Sequence, residues 1–310
     1  MRRIGGYLLW AFGISWAIVG AGFLLGVRSA AHPFYILVAA LCMLGPALAA
    51  IIQQRLIDRA PWAGLGLPLR PTDRPVFLGT VLIGLSLIPV LFGVLAVFEA
   101  LGAERFGQVS ITTERLMEAL AEMLNASGSP SQGTSKILTW ASGVPGGVAL
   151  AFFLIAALFA ALTVNLPFML GEELGWRGYL WSVTAHWSGL RRVGFTGVVW
   201  GLWHAPLILM GHNYPEHPFL GIGLMVVFCT LLAFLFDWTR TRSRSIWSSC
   251  VLHGLINGTA GASVIFAWGG RPLVAGITGV AGFITIALLV VVVCCFDRRY
   301  RKVLFGPAPV

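Results

Sequence analysis

Two neighbouring carboxylates and an arginine follow a long apolar run in the middle of the chain. They are Glu172, Glu173 and Arg177, in a sequence with only 12 acidic residues. On a helix, Glu173 and Arg177 are four residues apart and share a face, whereas Glu172 is rotated by about 100°. We expect Glu173 to pair with Arg177 and Glu172 to be free to act on water or substrate. The alternative is an interfacial ion pair that anchors the helix end.

Two later apolar runs each carry a histidine. His204 has Trp200 one turn earlier on the same helix face, and an imidazole at membrane depth needs a hydrogen-bond partner or a metal. His253 and Asn257, four residues apart, offer groups that donate to an oxyanion or hold a ligand. A core histidine and a polar contact between helices are the structural alternatives. Because ionisable groups at this depth usually face a protein interior, we expect the three segments to share one cavity.

The composition favours a membrane protein over a soluble one. The 310 residues are 57% hydrophobic and 11% charged, with a net charge of +9. This charge suits nucleic acid or an anionic membrane surface, and the repeated apolar runs favour the membrane. None of the five cysteines has CxxC spacing, so neither a disulfide framework nor a thiolate zinc site is indicated.

The apolar runs predict an all-α, polytopic membrane helix bundle, since about 20 helical residues cross the hydrocarbon core. The predicted spans are about eight: 6–26, 34–52, 76–98, 147–169, 192–210, 218–236, 246–268 and 273–296. If both termini are cytoplasmic, the inner segments hold 16 of the 21 basic residues. We therefore predict cytoplasmic N- and C-termini, because cytoplasmic loops are enriched in Lys and Arg.

We predict three regions along the chain. Residues 1–145 form N-terminal membrane helices with cytoplasmic and outer loops, 146–270 form the core that carries the chemistry, and 271–310 form the last membrane helix and a basic tail. Residues 113–124 have apolar side chains at helical spacing opposite three glutamates, which predicts an amphipathic helix on the outer side. It would lie on the membrane or against the bundle.

The three motifs together resemble those of the CPBP intramembrane proteases, also called the CAAX-protease and bacteriocin-processing or abortive-infection family. The resemblance covers roughly 168–262, and its most specific part is the stretch GEELGWRGYL at 171–180. The second motif of the family usually opens with Phe, and here the residue is Trp200.

This resemblance implies an intramembrane endopeptidase that hydrolyses a peptide bond near the cytoplasmic half of the membrane. By the family pattern, Glu172 activates the attacking water with help from His204. Glu173 and Arg177 support it, and His253 with Asn257 stabilises the oxyanion.

The family is often described as metalloproteases, and two mechanisms stay open. Glu172, His204 and His253 offer a carboxylate and two imidazoles, a ligand set that suits a catalytic zinc ion. The HExxH motif of ordinary zinc proteases is absent from the sequence. A metal-free mechanism with a Glu/His-activated water stands beside the zinc mechanism.

The expected partners are the lipid bilayer and a peptide or protein substrate, with prenylated and other membrane-anchored proteins among the candidates and no nucleic acid. We expect a multi-pass protein of the cell membrane of a bacterium. Two other functions stay open: a non-catalytic membrane scaffold or immunity protein of the same family, and an ion- or proton-coupled transporter with buried Glu and His residues as the relay.

Overall fold

Helices make up most of the structure. The computed structural model describes residues 2–67, 73–126 and 132–308. The first half contains α1 Arg2–Leu24, α2 Tyr35–Met43, α3 Gly45–Ile51, a π-helical segment Ile52–Ile57, α4 Arg74–Ala100, a 3₁₀ turn Glu104–Phe106, strand β1 Gln108–Val109, α5 Thr113–Ala126 and α6 Gln132–Ala141.

The second half continues in the same way. It contains α7 Gly146–Leu162, α8 Leu166–Glu173, a π-helical segment Leu174–Leu180, α9 Trp181–Thr184, α10 Gly189–Trp203, α11 Ala205–Leu209, α12 Pro218–Ser243, α13 Ile246–Phe266, strand β2 Ala267–Trp268, α14 Pro272–Ala275, α15 Val280–Phe296 and α16 Arg298–Phe305. Strands β1 and β2 pair antiparallel over two residues each.

The predicted all-α polytopic bundle is confirmed, with fewer uninterrupted spans than expected. In the described ranges, six helices are long and apolar enough to cross a membrane: Arg2–Leu24, Tyr35–Ile57, Arg74–Ala100, Pro218–Ser243, Ile246–Phe266 and Pro272–Phe296. The pair Gly146–Leu162 and Leu166–Thr184, bent by 60°, makes a seventh if it counts as one span. The predicted span 192–210 is instead two helices, α10 and α11, of 15 and 5 residues.

One end of the bundle gathers the start of α1 and the ends of α12 and α15. The Nε atom of Arg3 lies 3.6 Å from Oδ2 of Asp58, which directly follows the first π-helical segment. The Nε atom of Arg242, in the last turn of α12, lies 2.6 Å from Oδ2 of Asp297, which precedes α16. We call this end the basic face, because most of the predicted inner arginines lie in its segments. That it is cytoplasmic stays a prediction.

The loops at the other end form the opposite face. The amide of Ala30, after α1, donates to the carbonyl of Met210 at 2.7 Å. The hydroxyl of Tyr214 donates to the carbonyl of Thr278 at 2.7 Å. The predicted amphipathic helix is present here as α5. It packs against the bundle, where Arg115 is buried and donates to the carbonyl of Ile265 at 3.1 Å.

Glycines let two helix pairs approach closely. A Cβ on Gly254 or Gly258 of α13 would lie 2.8 Å or 3.1 Å from the Cβ atoms of Ala161 and Ala157 on α7. On α10, a Cβ on Gly197 would collide with the backbone of Thr230 on α12. Small residues at such crossings allow close van der Waals packing in membranes. Helix α13, which carries His253, and helix α10, which ends directly before His204, are therefore held tightly against their neighbours.

A buried ion pair also joins α10 to α12 near the basic face. The Nε atom of Arg192 donates to Oδ1 of Asp237 at 2.7 Å, and both side chains are about 5% exposed or less. The Trp181 indole donates to the same carboxylate at 3.0 Å, and the hydroxyl oxygen of Tyr300 in α16 lies 3.3 Å from it. The start of α10 is thereby fixed relative to α12, α16 and the segment that follows the two glutamates.

The close crossing of α10 and α12 predicts a position-specific effect on stability. We expect Gly197→Leu to destabilise the protein by about 1–3 kcal/mol, because the added atoms overpack the contact with Thr230. Gly194→Leu is the matched control, since a Cβ at Gly194 meets nothing within 4 Å. Thermal unfolding in detergent measures both variants, and equal transition midpoints would contradict the packing argument.

Candidate active site

The structure brings the predicted site residues of all three motifs to one place. Glu172, Trp200, His204, His253 and Asn257 line a single cavity of about 330 Å³. Glu173 and Arg177 are buried directly behind these residues, at 0% and 2% exposure. Residues far apart in sequence thus form one cluster.

The segment that carries the two glutamates changes its helical geometry directly after them. Glu172 and Glu173 are the last residues of α8, and the chain continues as the π-helical segment 174–180. A Cβ on Gly171 would lie 2.7 Å from the carbonyl oxygen of Met43, and one on Gly175 would collide with the Tyr7 hydroxyl and lie 2.5 Å from Pro46. Glycines at these positions let the carboxylates sit against α1–α3, and π-helical turns are frequent at functional sites.

The Glu173 carboxylate connects this segment to α13. Its Oε1 atom accepts from an Arg177 guanidinium nitrogen at 3.0 Å and from His253 Nδ1 at 2.9 Å. The pairing of Glu173 with Arg177 agrees with the sequence prediction, and the contact with His253 is an additional one. Because an ionised carboxylate only accepts, the proton of His253 lies on Nδ1. Its second nitrogen, Nε2, therefore remains for the cavity.

Two aromatic rings hold the Arg177 guanidinium. Its central carbon lies 4.2 Å from the centroid of Trp200 and 3.9 Å from that of Phe236. A guanidinium over an aromatic face is attracted by the ring quadrupole, most strongly when both are desolvated. The same two rings meet His253 edge-on, each at a centroid distance of 5.6 Å. The arginine and the histidine thus share one aromatic cage around Glu173.

Glu172 has a different partner from Glu173. The indole Nε1 of Trp200 donates to its Oε2 at 2.8 Å, and the side chain is 2% exposed. An indole N–H only donates, so Oε2 is the acceptor in this contact, which fixes the orientation of the Glu172 carboxyl group. In the described part of the chain, no hydrogen bond engages the other oxygen, Oε1. A phenylalanine at position 200 would lack this donor.

His204 lies at the break between α10 and α11. Pro206 lacks an amide hydrogen and cannot continue the hydrogen bonding of α10, which ends at Trp203. His204 Nδ1 lies 2.8 Å from the carbonyl oxygen of Trp200. Because a carbonyl only accepts, Nδ1 carries the proton and Nε2 of the neutral ring is an acceptor. His204 therefore has the tautomer required of a base or of a residue that orients water.

Asn257 lies one turn beyond His253 on the same face of α13. Its amide nitrogen is 3.7 Å from the sulfur of Met169, and its side chain is exposed. A thioether is a weak acceptor, so the second amide hydrogen and the amide oxygen remain available to a ligand. The cavity then extends to His212 and to Asn213, which is exposed on the opposite face.

Within the described residues, the structure offers no set of metal ligands for the zinc mechanism. Among residues 2–67, 73–126 and 132–308, no three His, Cys, Asp or Glu side chains are grouped so that they could hold a metal ion. The predicted metal site of Glu172, His204 and His253 is therefore not supported, although all three residues line the same cavity. Sharing a cavity is a weaker condition than converging on one ion.

Comparisons with known proteins agree with the motifs. Residues 146–259 match the family model described as type II CAAX prenyl endopeptidase Rce1-like. The chain is also similar to CAAX prenyl protease 2 of Methanococcus maripaludis, at 34% identity over 92 residues. The resemblance to the CPBP family is confirmed for this segment. The match covers 28% of this chain and 34% of the relative, so the chain spans about a third of the length of the curated relative that it matches.

Three residues that support the candidate site were not found from the sequence. Phe236, Asp237 and Arg240 lie on α12, between the second and third motifs. Arg240 donates to the carbonyl of Arg177 at 2.8 Å and stacks on Trp181 at 4.2 Å, so it holds the π-helical segment in place. The available signal was that Asp237 and Arg240 are charged residues near the end of an apolar run.

The buried pair of Glu173 and Arg177 predicts strong energetic coupling. We expect Arg177→Met or Glu173→Gln alone to cost about 3–5 kcal/mol, because each leaves a buried charge without its partner. The double variant should cost clearly less than the sum. Glu118→Gln is the control, because the Glu118 side chain is 66% exposed in its pair with Arg115 and such a pair contributes about 0–1 kcal/mol. Unfolding in detergent measures the cycle, and additive effects would contradict the coupling.

Proposed function

We propose that this chain is an intramembrane endopeptidase that cleaves a peptide bond with a water molecule activated by Glu172 and His204. One observation carries the proposal: Glu172, His204 and His253 line one cavity, and the hydrogen bond of each side chain leaves a second polar atom for a ligand. A hydrogen-bond partner orients each side chain: the Trp200 indole orients Glu172, the Trp200 carbonyl orients His204, and the Glu173 carboxylate orients His253. The match to the type II CAAX prenyl endopeptidase model supports the same reaction class.

In the proposed reaction, water attacks the scissile carbonyl while its proton passes to the Glu172 carboxylate. His204 accepts a hydrogen bond from the water through Nε2 and fixes its direction of attack. The new C–O bond makes a tetrahedral oxyanion. The C–N bond then breaks, and the leaving amine takes the proton from Glu172, which returns to the carboxylate. Atoms and charge balance without a metal ion.

Asn257 and His253 are the proposed donors to the oxyanion. The Asn257 amide is a neutral donor. His253 can donate from Nε2 only as an imidazolium, since its Nδ1 proton is already directed at Glu173. The buried carboxylate stabilises this cation, which gives Glu173 a function beyond pairing with Arg177. Preorganised donors of this kind contribute a large share of catalysis in acyl-transfer enzymes.

The proposed substrate is a membrane-anchored polypeptide, with prenylated proteins as the leading class. Most of the cavity wall is apolar and includes Met43, Met225, Phe228, Leu232 and Ile256. Such a wall suits apolar side chains or a lipid-modified residue. The relative from Methanococcus maripaludis carries the name CAAX prenyl protease 2, and that name motivates testing prenylated C-termini first.

Of the proposed reacting groups, His253 lies nearer the basic face than the opposite face. His253 is seven residues beyond the first residue of α13, or about 10 Å at 1.5 Å per residue. If the basic face is cytoplasmic, as the distribution of arginines predicts, the scissile bond is cleaved in the cytoplasmic half of the membrane. We propose the cell membrane of a bacterium as the location.

The direct test compares cleavage by the wild type and by Glu172→Gln. Purified protein in nanodiscs is incubated with prenylated and unmodified C-terminal peptides, and products are identified by mass spectrometry. We expect Glu172→Gln to lower the cleavage rate by about 10³-fold, within the usual range for loss of a general base. Glu99→Gln makes the same chemical change at an exposed residue and should leave the rate unchanged.

Three results would count against this proposal. Full activity of Glu172→Gln would remove the residue from the mechanism. Absence of cleavage by the folded wild type, together with a cellular phenotype that survives alanine at Glu172, His204 and His253, would favour a non-catalytic scaffold. EDTA added in parallel should leave the rate unchanged, and loss of activity that zinc restores would overturn the metal-free form of the reaction.

A further inference from the structure

A second cavity lies at the basic face, on the outside of the bundle and away from the site described above. It is a groove of about 650 Å³ between α4, α12 and α15. Its lining includes Leu82, Ile83, Val292, Phe296, Arg298 and Arg299. The groove thus combines an apolar wall with cationic side chains at one end.

The apolar wall belongs to segments that can cross the membrane. Leu82 lies in the candidate span Arg74–Ala100, and Val292 and Phe296 lie in the candidate span Pro272–Phe296. Leu82 is 57% exposed and Phe296 is 86% exposed in the isolated chain. These surfaces face hydrocarbon when the helices span a bilayer. The wall can therefore accept an acyl chain without removing it from the membrane.

The charged end of the groove has an excess of positive charge. Asp297 accepts from Arg242 at 2.6 Å, from the Trp238 indole at 3.1 Å and from the Tyr300 amide at 2.9 Å. Burial alone would raise the pKa of Asp297, but these donors hold it below its ordinary value. Asp297 is therefore ionised at neutral pH and offsets the charge of Arg242.

The two neighbouring arginines have no such partner. Arg298 and Arg299 open α16 and are exposed, and within the described ranges neither takes part in an ion pair. They are held at the mouth of the groove because α16 is anchored by Tyr300, whose side chain is fully buried and whose hydroxyl donates to the carbonyl of Phe234 at 2.9 Å. Two adjacent cations beside a membrane-facing apolar wall match the phosphate and acyl chain of one lipid molecule.

We propose that this groove binds an anionic phospholipid. Its acyl chain lies along α4 and α15, and its headgroup phosphate lies between Arg298 and Arg299. The apolar wall favours a lipid over a free phosphate, because most of the groove lining would gain nothing from a soluble anion. This site is independent of the proposed protease reaction.

Native mass spectrometry of the full chain released from nanodiscs tests the proposal, with phosphatidylglycerol and phosphatidylcholine as the two probes. We expect the wild type to retain phosphatidylglycerol preferentially. Arg298→Gln/Arg299→Gln should bind it about thirtyfold more weakly, since each cation near an anionic headgroup contributes to binding. Arg301→Gln/Lys302→Gln is the matched control, because these exposed residues of the same helix do not line the groove.

Three outcomes decide between the groove and a diffuse surface charge. Retention lost only in the Arg298/Arg299 variant supports the groove. Equal loss in both double variants would show that the overall charge of α16 attracts the lipid, and equal retention of the two lipids by the wild type would also overturn the proposal. Glycerophosphoglycerol, which lacks acyl chains, should fail to displace the lipid at millimolar concentration; displacement would contradict the role of the apolar wall.

Discussion

The carboxylate of Glu173 is the group on which the arrangement of the candidate site depends. It is fully buried, and one of its oxygens accepts from both Arg177 and His253. A buried charge of this kind is costly unless it is paired and hydrogen-bonded, so α8, the π-helical segment and α13 cannot move apart independently. The aromatic cage of Trp200 and Phe236 completes the enclosure. Glu172, the adjacent residue, is thereby placed at the cavity wall.

Close packing of the helices also holds the candidate site residues in position. Gly254 and Gly258 bring α13 against α7, and Gly197 brings α10 against α12. Close helix contacts resist small displacements because overpacking and voids both cost free energy. His204 lies where α10 ends, so the break that shortens this helix also places an imidazole in the cavity wall. The close helix contacts and the break after α10 together position the proposed reactive groups.

Much of this could be predicted from the sequence, because apolar runs and residue spacing are local signals. The helical bundle, the convergence of three motifs and the pairing of Glu173 with Arg177 all follow from such signals. The hydrogen bond from Trp200 to Glu172 and the contact of His253 with Glu173 join residues 28 and 80 positions apart. No pattern in the chain specifies which partner a buried side chain will choose. Likewise, the span predicted at 192–210 is interrupted because Pro206 ends α10, an effect that average hydrophobicity does not register.

The central claim is that Glu173 and the Trp200 carbonyl fix the proton of each site histidine on Nδ1 and so present Nε2 to the cavity. The most direct measurement is the ¹⁵N NMR spectrum of histidine-labelled protein in micelles at neutral pH. His204→Ala and His253→Ala assign the two signals by their disappearance. The account predicts that both rings are protonated at Nδ1, His204 as the neutral tautomer. A neutral His204 with its proton on Nε2, or a His253 with an unprotonated Nδ1, would contradict it.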